Sequence, residues 1–360
     1  MIRRILSIFL TFSLLFSTSV LHSFATSSQE KTITKSYGNF EFNLTETTFP
    51  SSNSVTLTYN RPHNLPALSS KTQTKSLLHT LGLEDVFINR ISDSDLLTYA
   101  AAEQITGSTA FLRLNSDGSS FVIDENEALQ AEAKYQKILH NMLHATTRAE
   151  AKKYEEELVG LNGYLRIHYL VVALGNGRYQ YGVSARWLTM PKHRQSDSLG
   201  ACAQDISIDP DTRSGYYGYT KVEYPNTVNE VTSSPSVTID ADPSNPQNKS
   251  FIYSPVDGRW DGSGIIFSLP EDGTRGSSYS VINYDFYAHY EFEADVAYPD
   301  NRVNFNTIGS YDHAITELSF SPSLSITYDK VSTVSAAVGL SLKNNTEMLA
   351  IEYHINYVPS

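Results

Sequence analysis

The stretch Tyr164-Leu-Arg-Ile-His-Tyr-Leu-Val-Val-Ala-Leu-Gly-Asn-Gly-Arg-Tyr-Gln-Tyr-Gly-Val-Ser-Ala-Arg-Trp-Leu188 decides the fold class, because it contains two long strand patterns around a tight turn. Gly175-Asn-Gly177 at its centre is a strong hairpin signal, since Asn and Gly tolerate positive φ. Side chains alternate between the two faces of a strand. One face of the second strand is therefore formed by Tyr179, Tyr181, Val183, Ala185 and Trp187. This aromatic and apolar face predicts a packed core under an antiparallel sheet.

The chain keeps this β-like character from Gly160 to its end, and most of its 23 tyrosines lie there. Further strands are predicted at 202–208, 215–224, 264–269, 278–297, 312–328, 331–342 and 347–358. Their spacing, with Gly, Pro, Asp and Asn between them, predicts a Tyr-rich antiparallel β-domain over residues 161–360, built as a sandwich or a barrel-like sheet.

Helical patterns precede this region. Apolar spacing from Lys75 onward predicts short helices, and Ser92-Asp-Ser-Asp95 supplies an N-cap and first-turn acids for one of them. A hairpin is predicted at 106–123, followed by one long helix over 125–158, where the sequence has no Pro or Gly. The sequence therefore predicts an α+β fold, with an N-terminal helical module and one long helix at 75–160, followed by the mainly antiparallel, sandwich-like β-domain.

The helical part contains the stretch His79-Thr-Leu-Gly-Leu-Glu-Asp-Val-Phe-Ile-Asn-Arg-Ile-Ser-Asp-Ser-Asp-Leu-Leu-Thr-Tyr-Ala100, followed by Ile105. This stretch resembles one found in exported proteins of Gram-positive bacteria that have no assigned activity. The resemblance is confined to residues 76–105, its motif is structural, and it carries no catalytic residue across.

The N-terminus predicts export. Arg3 and Arg4 are basic, residues 5–21 are apolar, and Ser23-Phe24-Ala25 has the small-x-small pattern of a cleavage site. We expect a signal peptide at 1–25, cleavage after Ala25, a secreted chain and no stable membrane anchor afterwards. The alternative is a retained N-terminal anchor, for which the apolar run is short. Residues 26–74 then form a polar leader, in which the alternating stretches 37–44 and 55–59 are either strands or part of a solvated segment.

Charge and cysteine content exclude some partners. The chain has 27 Lys+Arg and 39 Asp+Glu, a formal net charge of -12. Loss of Arg3 and Arg4 with the signal peptide leaves 25 basic residues against 39 acidic ones, or -14. Attraction to nucleic acid or to anionic lipid is therefore disfavoured. The single cysteine, Cys202, excludes an internal disulfide and is expected as a buried thiol or an intermolecular link.

The candidate ligand site lies on the predicted strand 284–293. Alternation places one polar set on a single face of that strand: Asp285, Tyr287, His289, Glu291 and Glu293. Such a face could hold a cation, hydrogen-bond a sugar, or supply the paired carboxylates of a glycoside hydrolase. The simpler interpretation is the polar outer face of a sheet with one wet side.

Two patterns in the sequence could bind a metal ion. His140 and His144 are four residues apart on a helix and could ligate one zinc ion, but Asn141 stands where the metalloprotease motif needs glutamate. Surface or boundary histidines are the simpler interpretation. Acidic loops near 209–211, 240–245, 257–261 and 295–301 suit either structural calcium or ordinary turns. No cofactor is otherwise predicted.

No nucleophile elbow, phosphate-binding loop or dinucleotide fingerprint occurs in the sequence. The leading hypothesis is a secreted, non-enzymatic protein that binds an extracellular ligand or protein. The alternative is a carbohydrate-binding or carbohydrate-active protein that uses its aromatic and acidic strand faces. A third possibility is a pore-forming or membrane-active protein, because residues 332–342 alternate and carry no charge.

Overall fold

A computed structural model gives the structure of the protein. The residues it describes are 29–49, 54–62, 67–115, 119–145, 147–192, 194, 196–225, 232–233, 237–241, 249–253, 260–275, 279–296, 304–314, 340–343 and 346–356. The predicted signal peptide, three of the four acidic loops in part and most of the predicted pore-lining segment 332–342 lie outside these residues.

Two antiparallel sheets dominate the described chain. The first has twelve strands: β1 (Gln29–Tyr37), β2 (Phe40–Phe49), β3 (Ser54–Asn60), β4 (Gln104–Leu114), β5 (Ser120–Ile123), β6 (Gly163–Gly175), β7 (Arg178–Thr189), β9 (Ile206–Pro225), β10 (Thr232–Ser233), β11 (Val237–Ala241), β14 (Gly273–Arg275) and β15 (Tyr279–Val296). The second has six: β8 (Ser196–Gln204), β12 (Lys249–Tyr253), β13 (Trp260–Ser268), β16 (Asn304–Ala314), β17 (Leu340–Lys343) and β18 (Thr346–Asn356).

The strand order of the first sheet is β1-β2-β3-β4-β6-β7-β15-β9-β10, with β5, β14 and β11 paired to β4, β15 and β9. The order of the second is β12-β13-β8-β16-β18-β17. The predicted hairpin is confirmed, because β6 and β7 pair across a turn in which Asn176 and Gly177 both have positive φ.

Five helices occur in the described residues: α1 (Lys71–Thr80), α2 (Asp85–Ile88), α3 (Asp93–Ala101), α4 (Glu125–Leu143) and α5 (Arg148–Val159). Side-chain caps begin α1 at Ser70 and α3 at Ser92. Helices α1–α3, which we call the three-helix layer, bury Leu77, Leu78 and Phe87 against the first sheet. Each such side chain contributes about 1.5–3 kcal/mol on burial.

The predicted α+β fold, an N-terminal helical module and one long helix followed by a β-domain, is wrong. Strands β1–β5 come before or between the helices and belong to the same sheet as β6, β7 and β15. The alternating stretches of the polar leader are parts of these strands. The expected long helix is two helices, because the Thr147 hydroxyl accepts a hydrogen bond from the backbone N–H of Glu150 at 3.2 Å and starts α5.

The main core lies between the two sheets. Tyr179, Tyr181, Val183, Ala185 and Trp187 are buried there, as the alternation in β7 predicted. Polar groups tie the sheets together across this core. The Trp187 indole N–H donates to the Tyr311 hydroxyl at 2.8 Å, and that hydroxyl in turn donates to the fully buried carboxylate of Asp197. The His313 Nδ1 atom lies 2.9 Å from the other oxygen of Asp197. Cys202 is buried and is not part of a disulfide.

Candidate functional site

The face of β4, β6, β7 and β15 that points away from the main core is covered by the three-helix layer. Two neighbouring rows of side chains cross these strands on that face: Thr109, His168, Ser184 and His289 in one, and Gly107, Leu170, Gly182 and Glu291 in the other. Ser184 is only 2% exposed and His168 only 3%. The polar face of β15 is therefore not an ordinary wet surface over this length.

His289 is held by two hydrogen-bond partners. Its Nε2 atom lies 3.3 Å from Glu291 Oε2, and its Nδ1 atom lies 2.8 Å from Ser184 Oγ. A carboxylate can only accept, so the Nε2 atom carries a proton and donates it to Glu291. Gln180 Nε2 also donates to Glu291 Oε2 at 2.9 Å. Strand register places these four side chains together, although β7 and β15 are about a hundred residues apart in the chain.

His289 and Glu291 line a pocket between the sheet and the three-helix layer. The pocket has a volume of about 490 Å³ when its open mouth is included, and its enclosed floor is narrow. Its apolar and aromatic walls include Leu170 from β6, Phe87 from α2 and Tyr216 from β9. The rings of Phe87 and Tyr216 lie 6.0 and 5.2 Å from the imidazole of His289, measured between centroids.

The mouth and side of the pocket carry charge. The guanidinium of Arg90, an exposed residue, lies 4.4 Å from the centroid of the Tyr216 ring. Asp95 of α3 also lines the pocket. Burial raises the pKa of the Glu291 carboxyl, but its hydrogen bond to His289, the charge of His289 and the Gln180 amide outweigh burial and leave that pKa below its usual value. Glu291 is therefore ionised at neutral pH.

Asp285 and Tyr287 lie in a second, more open pocket on the other side of α2. This pocket has a volume of about 1100 Å³ including its mouth. Asp285 has φ 51° at an irregularity in the pairing of β15 with β9, and it accepts a 3.2 Å hydrogen bond from Gln136 Nε2 of α4. Burial raises its carboxyl pKa, while Gln136 and the charge of Arg186 act in the opposite direction. The Tyr287 ring packs edge to face on Phe87 at 6.0 Å.

Glu293 is held outside both pockets. Its Oε2 atom accepts from Arg178 Nε at 2.6 Å, and Arg178 also pairs with Asp209 at 2.7 Å and Asp295 at 3.6 Å. The hydrogen bonds that Arg178 donates to Asp209 and Glu293 raise the pKa of Arg178 above its already high value. The five residues predicted as one site thus fall into three places along β15, and only His289 and Glu291 meet in the enclosed pocket.

An ion-pair network fixes the three-helix layer to the sheet. Glu84 Oε1 lies 2.9 Å from Arg186 Nε and 3.3 Å from Arg166 Nη1, and Arg186 also pairs with Glu132 of α4. Arg166 donates to the carbonyl oxygen of Gly82 at 2.6 Å. These contacts position the segment before α2, which forms a wall of the pocket.

The two histidines predicted as zinc ligands are exposed on α4 and its C-cap. The His140 and His144 rings lie 4.1 Å apart, and His144 Nδ1 is hydrogen-bonded to the His140 carbonyl oxygen at 2.8 Å. Within the described ranges, no three His, Cys, Asp or Glu side chains gather as a metal site requires. Of the acidic-loop residues, Asp209 is held by Arg178 and by the backbone N–H of Asp211.

Ser184, His289 and Glu291 follow the order of a charge-relay triad, but their geometry does not fit acyl transfer. The serine is buried beneath the imidazole and does not line the pocket. A serine nucleophile needs access to its substrate, and the burial of Ser184 prevents this, so the arrangement is better suited to holding Glu291 in place.

Sequence reasoning missed the residues that close the pocket from the opposite side. Phe87 and Tyr99 fit the apolar pattern of short helices. This pattern predicts that they are buried, but it does not show which strand they pack against. Gln180 could have been found, since it is a polar residue on the face of β7 opposite Tyr179 and Tyr181. Its alternation places it on the same side of the strand as Ser184 and Arg186, which indicates that this side of β7 is polar.

No protein-family profile matches the sequence, and no curated protein matches it. Among solved structures, one similar chain is AvmM, described as catalysing macrocyclization in alchivemycin A biosynthesis. The match has 9% sequence identity, a TM-score of 0.24, and covers 50% of this chain and 82% of that chain. A likeness this slight carries no argument about fold or function. Among the helices that the structure describes, none is long and apolar enough to cross a bilayer.

Proposed function

We propose that the protein is a secreted, non-enzymatic binding protein that holds a small organic molecule in the pocket between β7, β15 and the three-helix layer. The observation that carries this proposal is the Glu291 carboxylate, which His289 and Gln180 hold by hydrogen bonds in a floor that is otherwise apolar and aromatic. Concave sites with apolar walls and a few placed polar groups are typical of small-molecule binding.

Export is the second part of this proposal. It is supported by the basic, apolar and small-x-small segments of residues 1–25. Sequencing the N-terminus of chain recovered from the medium would test it. We expect Thr26 as the first residue, whereas a chain that stays in the cell with Met1 intact would contradict secretion.

Binding is favoured over catalysis because Ser184, the candidate nucleophile, is buried beneath His289 and does not line the pocket. In Glu291, by contrast, the hydrogen bonds that the described residues make go to Oε2, so Oε1 remains as an acceptor for a ligand. One positioned acceptor provides recognition but not an acid–base pair.

Gly182 offers a direct test, because it lies in the pocket wall. A Cβ atom added there would lie 3.5 Å from His289 Cε1 and 3.9 Å from Leu170 Cβ, which are ordinary contacts. Gly182→Ala should therefore leave the fold intact. Gly182→Val adds two further methyl groups to the pocket, and valine suits a strand.

The experiment screens small aromatic compounds of neutral, cationic and anionic classes by ligand-observed NMR against the wild type and both variants. We expect binders whose signal is lost with Gly182→Val and kept with Gly182→Ala. Circular dichroism and urea unfolding show that each variant is folded. If no compound binds, or if valine leaves every binder unaffected, this pocket is not the binding site.

Carbohydrate binding is the second candidate. It is favoured by the combination of the Tyr216 and Phe87 rings with the Glu291 carboxylate and the Gln180 amide, since sugars are held by such pairings of aromatic and polar groups. Adding methyl glycosides to the same screen tests it. Glycosides that bind and are displaced by the valine substitution would favour this second function.

A further inference from the structure

We infer that the ligand of this pocket carries an organic ammonium group, which pairs with Glu291 while the rest of the ligand contacts the aromatic walls. The inference rests on the proposed function and adds the chemical class of the ligand. Three observations support it: the carboxylate in the pocket floor, the aromatic side chains above it, and the absence of a lysine or arginine paired with that carboxylate among the described residues.

The floor presents a carboxylate that has no lysine or arginine partner among the described residues. Glu291 is supported by two neutral or weakly basic groups, Gln180 and His289, and among the described residues no lysine or arginine forms an ion pair with it. The next acidic residue on β15, Glu293, is instead paired with Arg178 at 2.6 Å. A carboxylate kept ionised without a permanent cation is stabilised by a ligand that supplies one.

The walls fit a cation with an organic body. Phe87, Tyr99 and Tyr216 line the pocket, and an aromatic ring face attracts an ammonium or guanidinium group within about 6 Å. The Tyr216 ring already accepts the Arg90 guanidinium at 4.4 Å, at the exposed side of the pocket. The aromatic environment is therefore one in which this protein itself places a positive charge.

The pocket lining contains a second carboxylate besides Glu291. It belongs to Asp95, whose Oδ2 atom accepts a 2.6 Å hydrogen bond from the Ser92 hydroxyl. Against these two carboxylates the lining contains one guanidinium, that of Arg90, at the mouth. An anionic ligand would be repelled from the floor, and a neutral one would leave the Glu291 charge unpaired.

The narrow floor limits the group that reaches Glu291 to a small one. A primary ammonium fits this requirement, because it is compact and donates three hydrogen bonds. We therefore choose benzylammonium as the probe, with benzyl alcohol as its neutral counterpart of nearly the same shape and benzoate as the anionic one. Isothermal titration calorimetry and ligand-observed NMR measure their affinities for the purified chain.

We expect benzylammonium to bind about tenfold more tightly than benzyl alcohol, because a charge-assisted hydrogen bond of roughly 1.4 kcal/mol corresponds to that ratio. Benzoate should bind most weakly. Glu291→Gln keeps the shape of the side chain and should reduce the benzylammonium affinity about tenfold while leaving benzyl alcohol unchanged. The matched control is Glu46→Gln, which removes one negative charge from the same sheet at the Lys31 ion pair.

The three probes keep the inference testable with the wild type alone if Glu291→Gln fails to fold. Equal affinity for benzylammonium and benzyl alcohol, or preference for benzoate, would overturn the ammonium assignment. If those probes still lose binding with Gly182→Val, the pocket remains the binding site and only the ligand class is wrong. Equal losses with Glu46→Gln and Glu291→Gln would show a general charge effect and would also overturn it.

Discussion

The contact between the three-helix layer and the sheet can be tested with two glycines that lie in the same row of the sheet. Gly107 of β4 and Gly182 of β7 both pair with Leu170 of β6, one on each side of it. Both face the three-helix layer, but at different distances from it. Replacing each by alanine adds the same methyl group in two environments.

The expected effects have opposite signs. At Gly182 the new Cβ meets its first neighbour, His289 Cε1, at 3.5 Å, so the methyl group fits. Loss of glycine's freedom in the unfolded chain should then raise the free energy of unfolding by about 0.4–1 kcal/mol. At Gly107 the Cβ would lie 2.5 Å from the Leu81 carbonyl oxygen and 3.0 Å from His168 Cε1. Because backbone must move there, we expect a loss of about 1–3 kcal/mol.

Urea unfolding followed by circular dichroism measures both values under the same conditions. The two variants should differ by about 1.4–4 kcal/mol, with Gly107→Ala the less stable. Similar stabilities, or a stabilising effect at Gly107, would mean that the end of α1 does not lie against β4 as the structure has it. A destabilising effect of Gly182→Ala would mean that other protein atoms already occupy the space beside Gly182 in the pocket.

Further predictions concern pH, charge and capping. Burial, and less strongly the charges of Arg166 and His289, lower the pKa of His168 to about 3, from 6.5 in an unfolded chain. Below about pH 6.5 the imidazole is therefore protonated in the unfolded state but not in the folded state. Through this residue the free energy of unfolding should fall by about 2 kcal/mol between about pH 7.5 and pH 5. Between these pH values the free energy of unfolding of His168→Gln should fall by about 2 kcal/mol less than that of the wild type. An equal fall in both proteins would refute the assignment of this effect to His168. Arg186→Met leaves Glu132 without its arginine and Glu84 with Arg166 alone, and should cost about 2 kcal/mol, whereas Lys152→Met at an exposed helix pair should have no measurable effect; equal losses of stability in urea unfolding would contradict the network. Thr147→Ala removes the cap of α5 and should cost about 1 kcal/mol in thermal or urea unfolding, with Thr147→Ser restoring most of it, and a serine variant as unstable as alanine would argue against capping.

Local patterns in the sequence predicted local structure well. The β6–β7 hairpin follows from Asn176 and Gly177, and the buried face of β7 follows from alternation, because both signals depend on neighbouring residues. The break between α4 and α5 was not predicted, because the segment contains no Pro or Gly to mark it. Its sequence signal is the capping-box spacing of Thr147 and Glu150. The sheet order could not be predicted, because pairings such as β7 with β15 depend on residues about a hundred positions apart.

Only part of the candidate site could be predicted, because alternation reports on one strand at a time. Alternation identified His289 and Glu291 as members of one face of β15. It could not show that the three-helix layer covers this face, because a polar strand face looks the same in sequence whether water or protein lies above it. The separation of Asp285 from His289 was also hidden, since it arises at the irregularity in pairing near Tyr284 and Tyr287.

The central position of β15 has a consequence for how the protein folds. In the first sheet β15 lies between β7 and β9, so these two strands, close in sequence, are joined only through a strand that is synthesised much later. Closing such long loops is slow, because chain entropy is lost before the contacts form. We expect the sheet to remain open between β7 and β9 until residue 296 is available, because β15 fills the gap between them.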